Sequence, residues 1–136
     1  MREGYYEYDD ATFAALKLLE YLSREEKTLS EIIVQFPHYI TSPVWHAYCA
    51  DNKKYGIVDK ILADLKKEYG AEKVIDVNGA RVSLDDGWFL VRASSNVPAL
   101  VIVFEAKTEE QLKKIELLVR KKLAAYPEIG SEWKSG

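Results

Sequence analysis

Cysteine is almost absent from this chain. Cys49 is the only one in 136 residues, which excludes an intramolecular disulfide and fits a reducing compartment. No apolar run approaches the ~20 residues of a membrane span. The segment Met1 to Glu7 carries no apolar stretch of the kind that directs secretion. Basic charge is not in excess either: the formal net charge is −3 and the isoelectric point about 5.5. That argues against a general nucleic-acid binder, whose footprint is a basic patch. His38 and His46 each lack a second ligand at metal spacing, and no phosphate-binding glycine motif of the nucleotide kind is present. These absences predict a cytoplasmic protein that binds neither membrane nor nucleic acid and holds no metal or other cofactor of its own.

What is present is a globular balance, 48% hydrophobic and 30% charged, in a length that suits one cored domain and is short for two. Asp9 or Asp10 can cap a helix carrying Phe13, Leu16, Leu19 and Leu22 at helical spacing. A second helical piece begins near Thr28 and stops at Pro37. Pro37 to Pro43 is turn-prone and reads as a joint or hinge. Val44–Cys49 then reads as a strand, and Asn52–Tyr69 as an amphipathic helix with Gly70 at its C-cap. In that helix Lys53, Lys54, Lys60, Lys66 and Lys67 read as the solvated face. Val74–Val77 and Ala80–Leu84 flank Asn78-Gly79, a strong hairpin signal. Asp85-Asp86-Gly87 turns into Trp88–Val91, and Leu100–Phe104 forms the last predicted strand. Thr108 caps a final helix, with Glu110 or Gln111 near the capping-box position. The tail Glu128 to Gly136 is polar and expected to fray, apart from Ile129 and Trp133. The order predicts an α+β unit: an antiparallel sheet of about four to five strands with two helices on one face, preceded by a helical segment.

The most informative stretch lies between the last two strands. Arg92, Ser94, Ser95 and Asn96 place one guanidinium, two hydroxyls and an amide in a short loop closed by Pro98. The guanidinium fork matches phosphate oxygens in pairs, and backbone N–H groups in a tight turn can complete a nest around an anion. Composition alone also allows a plain polar turn, with Arg92 solvated or paired to an acid. Other candidates read more simply. Asp9-Asp10 and Asp85-Asp86 suit caps and turns, Cys49 a small buried group, and Tyr5, Tyr6 and Tyr8 packing rather than a sugar-stacking platform.

Asp86-Gly87-Trp88-Phe89-Leu90-Val91-Arg92-Ala93-Ser94-Ser95-Asn96-Val97-Pro98, followed by a strand closing in Phe104-Glu105-Ala106, resembles the C-terminal domain of the phosphomannomutase/phosphoglucomutase (phosphohexomutase) family. Four further segments agree in order: Tyr8–Ala11, Phe36–Pro43, Cys49–Lys54 and Val77–Val82. The resemblance implies that residues 1–38 are the helical end of a preceding sugar-binding domain and its joint. Residues 39–136 would be the TBP-like phosphate-binding domain. It further implies that Arg92, Ser94, Ser95 and Asn96 grip the phosphate of a glucose or mannose phosphate. Ser95 stands where the family has asparagine or glycine, types that tolerate positive φ better than serine does, and Asn96 stands where threonine is usual.

Members of that family interconvert hexose 1-phosphates and 6-phosphates by intramolecular phosphotransfer. They use a phosphorylated serine, an aspartate-rich loop holding Mg²⁺, and a glycine-glutamate-x-serine-glycine-histidine loop that reads sugar hydroxyls. None of these motifs occurs in this sequence, and Met1 falls just downstream of where the last would stand. The chain is therefore expected to have no catalytic residue of its own, to be inert alone, and to work with N-terminal domains outside it. A stand-alone binding or interaction module of the same fold is the alternative.

Overall fold

The structure, a computed structural model, describes residues 10–136. Tyr5, Tyr6, Tyr8 and Asp9, raised above as stacking or capping candidates, lie outside the described residues. The described chain divides into two compact units, one ending at His38 and the other running Tyr39–Gly136. The first contains α1 (Ala11–Leu22) and α2 (Leu29–Ile33). Asp10 caps α1 by accepting from Phe13 N at 2.9 Å, and Thr28 forms a reciprocal capping box with Glu31 at the start of α2. Neither helix contains a buried residue.

The second unit contains β1 (Ile40–Thr41), β2 (Trp45–Tyr48), α3 (Asp51–Tyr69), β3 (Val74–Ile75), β4 (Ala80–Leu84), β5 (Gly87–Ala93), β6 (Ala99–Ala106), α4 (Glu109–Leu123) and β7 (Trp133–Ser135). All pairings are antiparallel, in the order β3-β4-β5-β6-β2-β7, with β1 also on β6. The α+β class holds. The strand count is seven rather than four to five, for two reasons of tertiary origin.

First, part of the expected joint is sheet. Thr41 pairs with Glu105, and Trp45 pairs with Ile102. The register thus slips by one residue between β1 and β2, which are one strand interrupted by a bulge. Pro43 sits in the bulge, where its missing N–H does no harm. Ser42 bridges it: its N–H donates to the Phe104 carbonyl at 2.9 Å, and its hydroxyl accepts from Phe104 N at 3.1 Å. Of Pro37 to Pro43, residues 37–39 alone precede the sheet. Second, the tail, expected to fray apart from Ile129 and Trp133, forms β7 against β2. Trp133 packs 6.5 Å from Trp45, centroid to centroid, and the Arg120 guanidinium lies 3.9 Å over the Trp133 ring. That aromatic burial holds a strand that no local propensity announces.

Alternation along β5 separates the two faces. Phe89, Val91 and Ala93 are buried beneath α3 and α4, whereas Trp88, Leu90 and Arg92 are half-exposed. The core joins Phe89, Phe104, Leu100 and Ile102 of the sheet to Ile57, Ile61 and Leu65 of α3 and Ile115, Val119 and Leu123 of α4. Gly70 takes φ +87° as α3 ends, a left-handed conformation that suits glycine. Asn78 and Gly79 also have positive φ, but the last pair before them is Ile75 with Arg81, so five residues (76–80) rather than two separate the paired positions. The two-residue turn is Asp85-Asp86, because Leu84 pairs with Gly87. Thr108 caps α4 by accepting from Gln111 N at 3.2 Å. The Gln111 side chain does not close a capping box and instead donates to Asp86 Oδ1 at 2.7 Å, tying the helix to that turn.

Candidate anion-binding site

The loop Ser94–Pro98 connects β5 to β6 at the end of the longest ladder in the sheet, where Ala93 pairs with Leu100. Ser94 N extends the ladder by donating to Ala99 O at 2.9 Å. Beyond it the loop is organised by its own groups. The Ser94 hydroxyl, in a side chain only 5% exposed, accepts from Asn96 N and Val97 N, both at 3.3 Å. Ala99 N donates to Val97 O at 2.8 Å, and Cys49 N donates to Pro98 O at 3.0 Å.

This arrangement corrects two expectations. The backbone nest is largely spent, because the Asn96 and Val97 N–H groups turn inward to Ser94. A buried hydroxyl must find partners, and these amides are within its reach. Ser94 therefore shapes the loop as an acceptor and keeps one hydroxyl proton as a donor. Ser95 and Asn96 are exposed, and their side chains make no hydrogen bond among the described residues. Ser95 does not take positive φ, since Asn78 is the only non-glycine that does among the described residues. The replacement of the family's usual asparagine or glycine thus carries no backbone strain here.

Arg92 is the last half-exposed residue of β5 on the face away from the helices. Arg24 and Arg120 are engaged by Glu20 and Glu116 at 2.6 and 2.8 Å, and Arg81 stacks on Trp88 at 4.5 Å. Among the described residues no carboxylate lies within ion-pair distance of Arg92. Its single side-chain hydrogen bond among the described residues is a long one, from Nη1 to the Ala93 carbonyl at 3.4 Å. Gly79 approaches so closely that a Cβ there would lie 2.6 Å from Arg92 Cβ. The β3–β4 connection thereby walls one side of the arginine.

Lys54 is the residue the sequence reading misplaced. It is 4% exposed, not on the solvated face of α3. Its ammonium donates to Asp51 Oδ1 at 2.6 Å and to the Val97 carbonyl of the loop at 3.1 Å. The signal was in the periodicity: Lys54 lies in the same helical stripe as Ile57, Val58, Ile61 and Leu65. His46 and Lys134 face each other across β2 and β7. They line a neighbouring hollow of about 520 Å³ with Tyr48, Val97 and Pro98. Among the described residues no three His, Cys, Asp or Glu side chains converge as a metal site.

The geometry defines a class: an α+β domain with a polar loop between two central strands, beside an arginine that has no carboxylate within ion-pair distance among the described residues. Residues 48–122 match the family described as phosphoglucomutase/phosphomannomutase, C-terminal domain. The chain belongs to the phosphoglucomutase/phosphomannomutase family. It is 33% identical over 124 residues to a phosphomannomutase/phosphoglucomutase of Pseudomonas aeruginosa, covering 91% of this chain and 26% of that protein. It is 30% identical over 129 residues to a phosphoglucomutase of Neisseria meningitidis serogroup B, covering 94% of this chain and 28% of that protein. A crystal structure of a family member from Burkholderia thailandensis superimposes with a TM-score of 0.70 at 31% identity, covering 90% of this chain and 25% of that one. The chain thus spans about a quarter of the length of the curated relatives it matches. No described helix is long and apolar enough to cross a membrane.

Proposed function

We propose that this chain grips the phosphate of a hexose phosphate for a phosphohexomutase, through Arg92, Ser94, Ser95 and Asn96. The observation that carries the reading is Arg92, which among the described residues has no carboxylate partner and stands near the end of the strand that leads into a loop with two polar side chains unbonded among the same residues. A guanidinium left unpaired beside idle hydroxyl and amide donors suits an oxyanion better than it suits the fold. The contribution to phosphotransfer is positional: holding the phosphate orients the sugar, which can be worth several powers of ten in rate. Nucleophile and Mg²⁺ would be supplied by N-terminal domains, because their motifs do not occur in this sequence.

In this reading α1 and α2 close the domain that precedes the phosphate-binding one. The exposed Leu16 and Leu19 of α1, Ile33 of α2, and Val34 and Phe36 just after it support the reading, as apolar side chains that upstream residues would cover. The alternative, a stand-alone module, is favoured by one observation: the Tyr39–Gly136 unit has a complete core of its own.

Titration of the chain with glucose 1-phosphate, followed by backbone amide shifts, tests the proposal. Shifts confined to residues 92–96, abolished by Arg92→Ala, are expected. Their absence in the parent chain would leave the stand-alone module as the better reading.

A further inference from the structure

A buried lysine is an expensive way to cover a sheet. Removing an ammonium from water costs several kcal/mol unless it is paired and hydrogen-bonded. Among the described residues the one carboxylate partner of Lys54, Asp51, is itself mostly solvated: the Lys54 side chain is 5% exposed and that of Asp51 68%. Met or Leu would fill the same stripe of α3 without that cost. Beyond the Asp51 pair, the charge meets two groups: the Tyr55 ring, 5.4 Å away, and the Val97 carbonyl, 3.1 Å away.

The Val97 carbonyl is also the acceptor for Ala99 N. One carbonyl thus takes two donors, one from the loop's own exit and one from a helix 43 positions away. Ser94 organises the first half of the loop, and Lys54 anchors the second half from beneath.

We propose that Lys54 is a positioning residue of the anion site: its bond to Val97 O sets the conformation in which Ser95 and Asn96 present their donors, and it places a desolvated positive charge against the loop backbone. This rests on the phosphate-binding reading above. An anchor of this kind acts without touching the ligand. It limits the freedom that the exposed half of the loop would otherwise lose on binding.

The test uses the 136-residue chain as the parent and in four variants: Lys54→Met, Lys54→Arg, Asp51→Asn and Arg92→Ala. Two readouts are taken: amide exchange of Asn96, Val97 and Ala99 without ligand, and glucose 1-phosphate affinity from amide shifts. Lys54→Met is expected to speed exchange at those three amides selectively, with the β5–β6 core amides unchanged. It is expected to weaken glucose 1-phosphate binding on the order of tenfold, and Lys54→Arg to recover affinity to within about threefold of the parent. Parent affinity and parent exchange in Lys54→Met overturn the proposal, while loss of binding in Arg92→Ala keeps the anion site standing.

If Lys54→Met does not fold, Asp51→Asn carries the test, because Asp51 is exposed and its loss loosens the same anchor. Faster exchange at the three loop amides supports the proposal, and unchanged exchange overturns it. If the parent shows no ligand shifts at all, the phosphate reading fails and this inference fails with it, whatever the exchange rates show about the loop.

Discussion

The Trp88 indole N–H donates to Glu105 Oε2 at 2.8 Å across paired positions of β5 and β6. The second carboxylate oxygen accepts from Thr41 Oγ1 on β1, also at 2.8 Å. Glu105 therefore joins three strands on the face away from the helices, and the Arg81 guanidinium closes over the other side of Trp88. The row ties the first residues of the Tyr39–Gly136 unit to the centre of its sheet.

Glu105→Ala removes both acceptors and leaves a half-buried indole N–H without a partner. It is expected to lower stability by about 1–3 kcal/mol. Urea denaturation should show a lower midpoint at unchanged slope. Glu105→Gln, which can still accept from Trp88, should lose less. Equal midpoints for Glu105→Ala and the parent would remove this row from the stability of the domain.

Gly79 and Gly56 should respond to alanine with opposite signs. Gly79 sits at φ +131°, and a Cβ there would lie 2.6 Å from Arg92 Cβ and 2.7 Å from the Val91 carbonyl. Gly79→Ala is expected to cost about 1–3 kcal/mol and to displace Arg92, weakening any phosphate binding along with the fold. Gly56 lies inside α3 with nothing within 4 Å of an added Cβ. Gly56→Ala should stabilise by about 0.5–1 kcal/mol and leave the loop amides in place. Thermal melts with amide spectra of both variants check the pair.

Tyr126 gives a sign to the alkaline limb of stability. Its hydroxyl donates to Asp64 Oδ2 at 2.6 Å. Burial, and then the hydrogen bond to the Asp64 carboxylate, hold its pKa well above the usual tyrosine value. The folded state thus keeps a proton that the unfolded state releases near pH ~10. The stabilisation is complete below that pH and is lost progressively as pH rises above it. Between about pH 9 and about pH 11 the parent should lose more unfolding free energy than Tyr126→Phe. Equal losses in urea titrations at the two pH values would show that this tyrosine does not contribute.

Much of the fold was legible because its signals are local. Gly70 ends α3 because only a residue tolerant of positive φ suits that cap, and Thr108 starts α4 because its hydroxyl reaches an orphan N–H. The alternation Phe89, Val91, Ala93 against Trp88, Leu90, Arg92 marks two faces in any strand. Less could be read where the partner lies far along the chain. Thr41 is a strand residue because Glu105 is opposite it, and Trp133 because Trp45 and Arg120 are there. Lys54 was misread because a lysine is solvated by default, whereas here its ammonium is received by Asp51 and by the distant Val97 carbonyl.

By itself, the amino-acid order determined the α+β class, the helix caps at Asp10, Thr28, Gly70 and Thr108 and the chemical inventory of the loop, since periodicity, caps and side-chain type are properties of near neighbours. The tertiary structure alone decided what that inventory does. It turned Ser94 inward as the loop's acceptor, left Arg92 without a carboxylate among the described residues, and brought a buried cation beneath Val97. Such outcomes depend on which groups share a dry environment, and sequence separation does not report that distance.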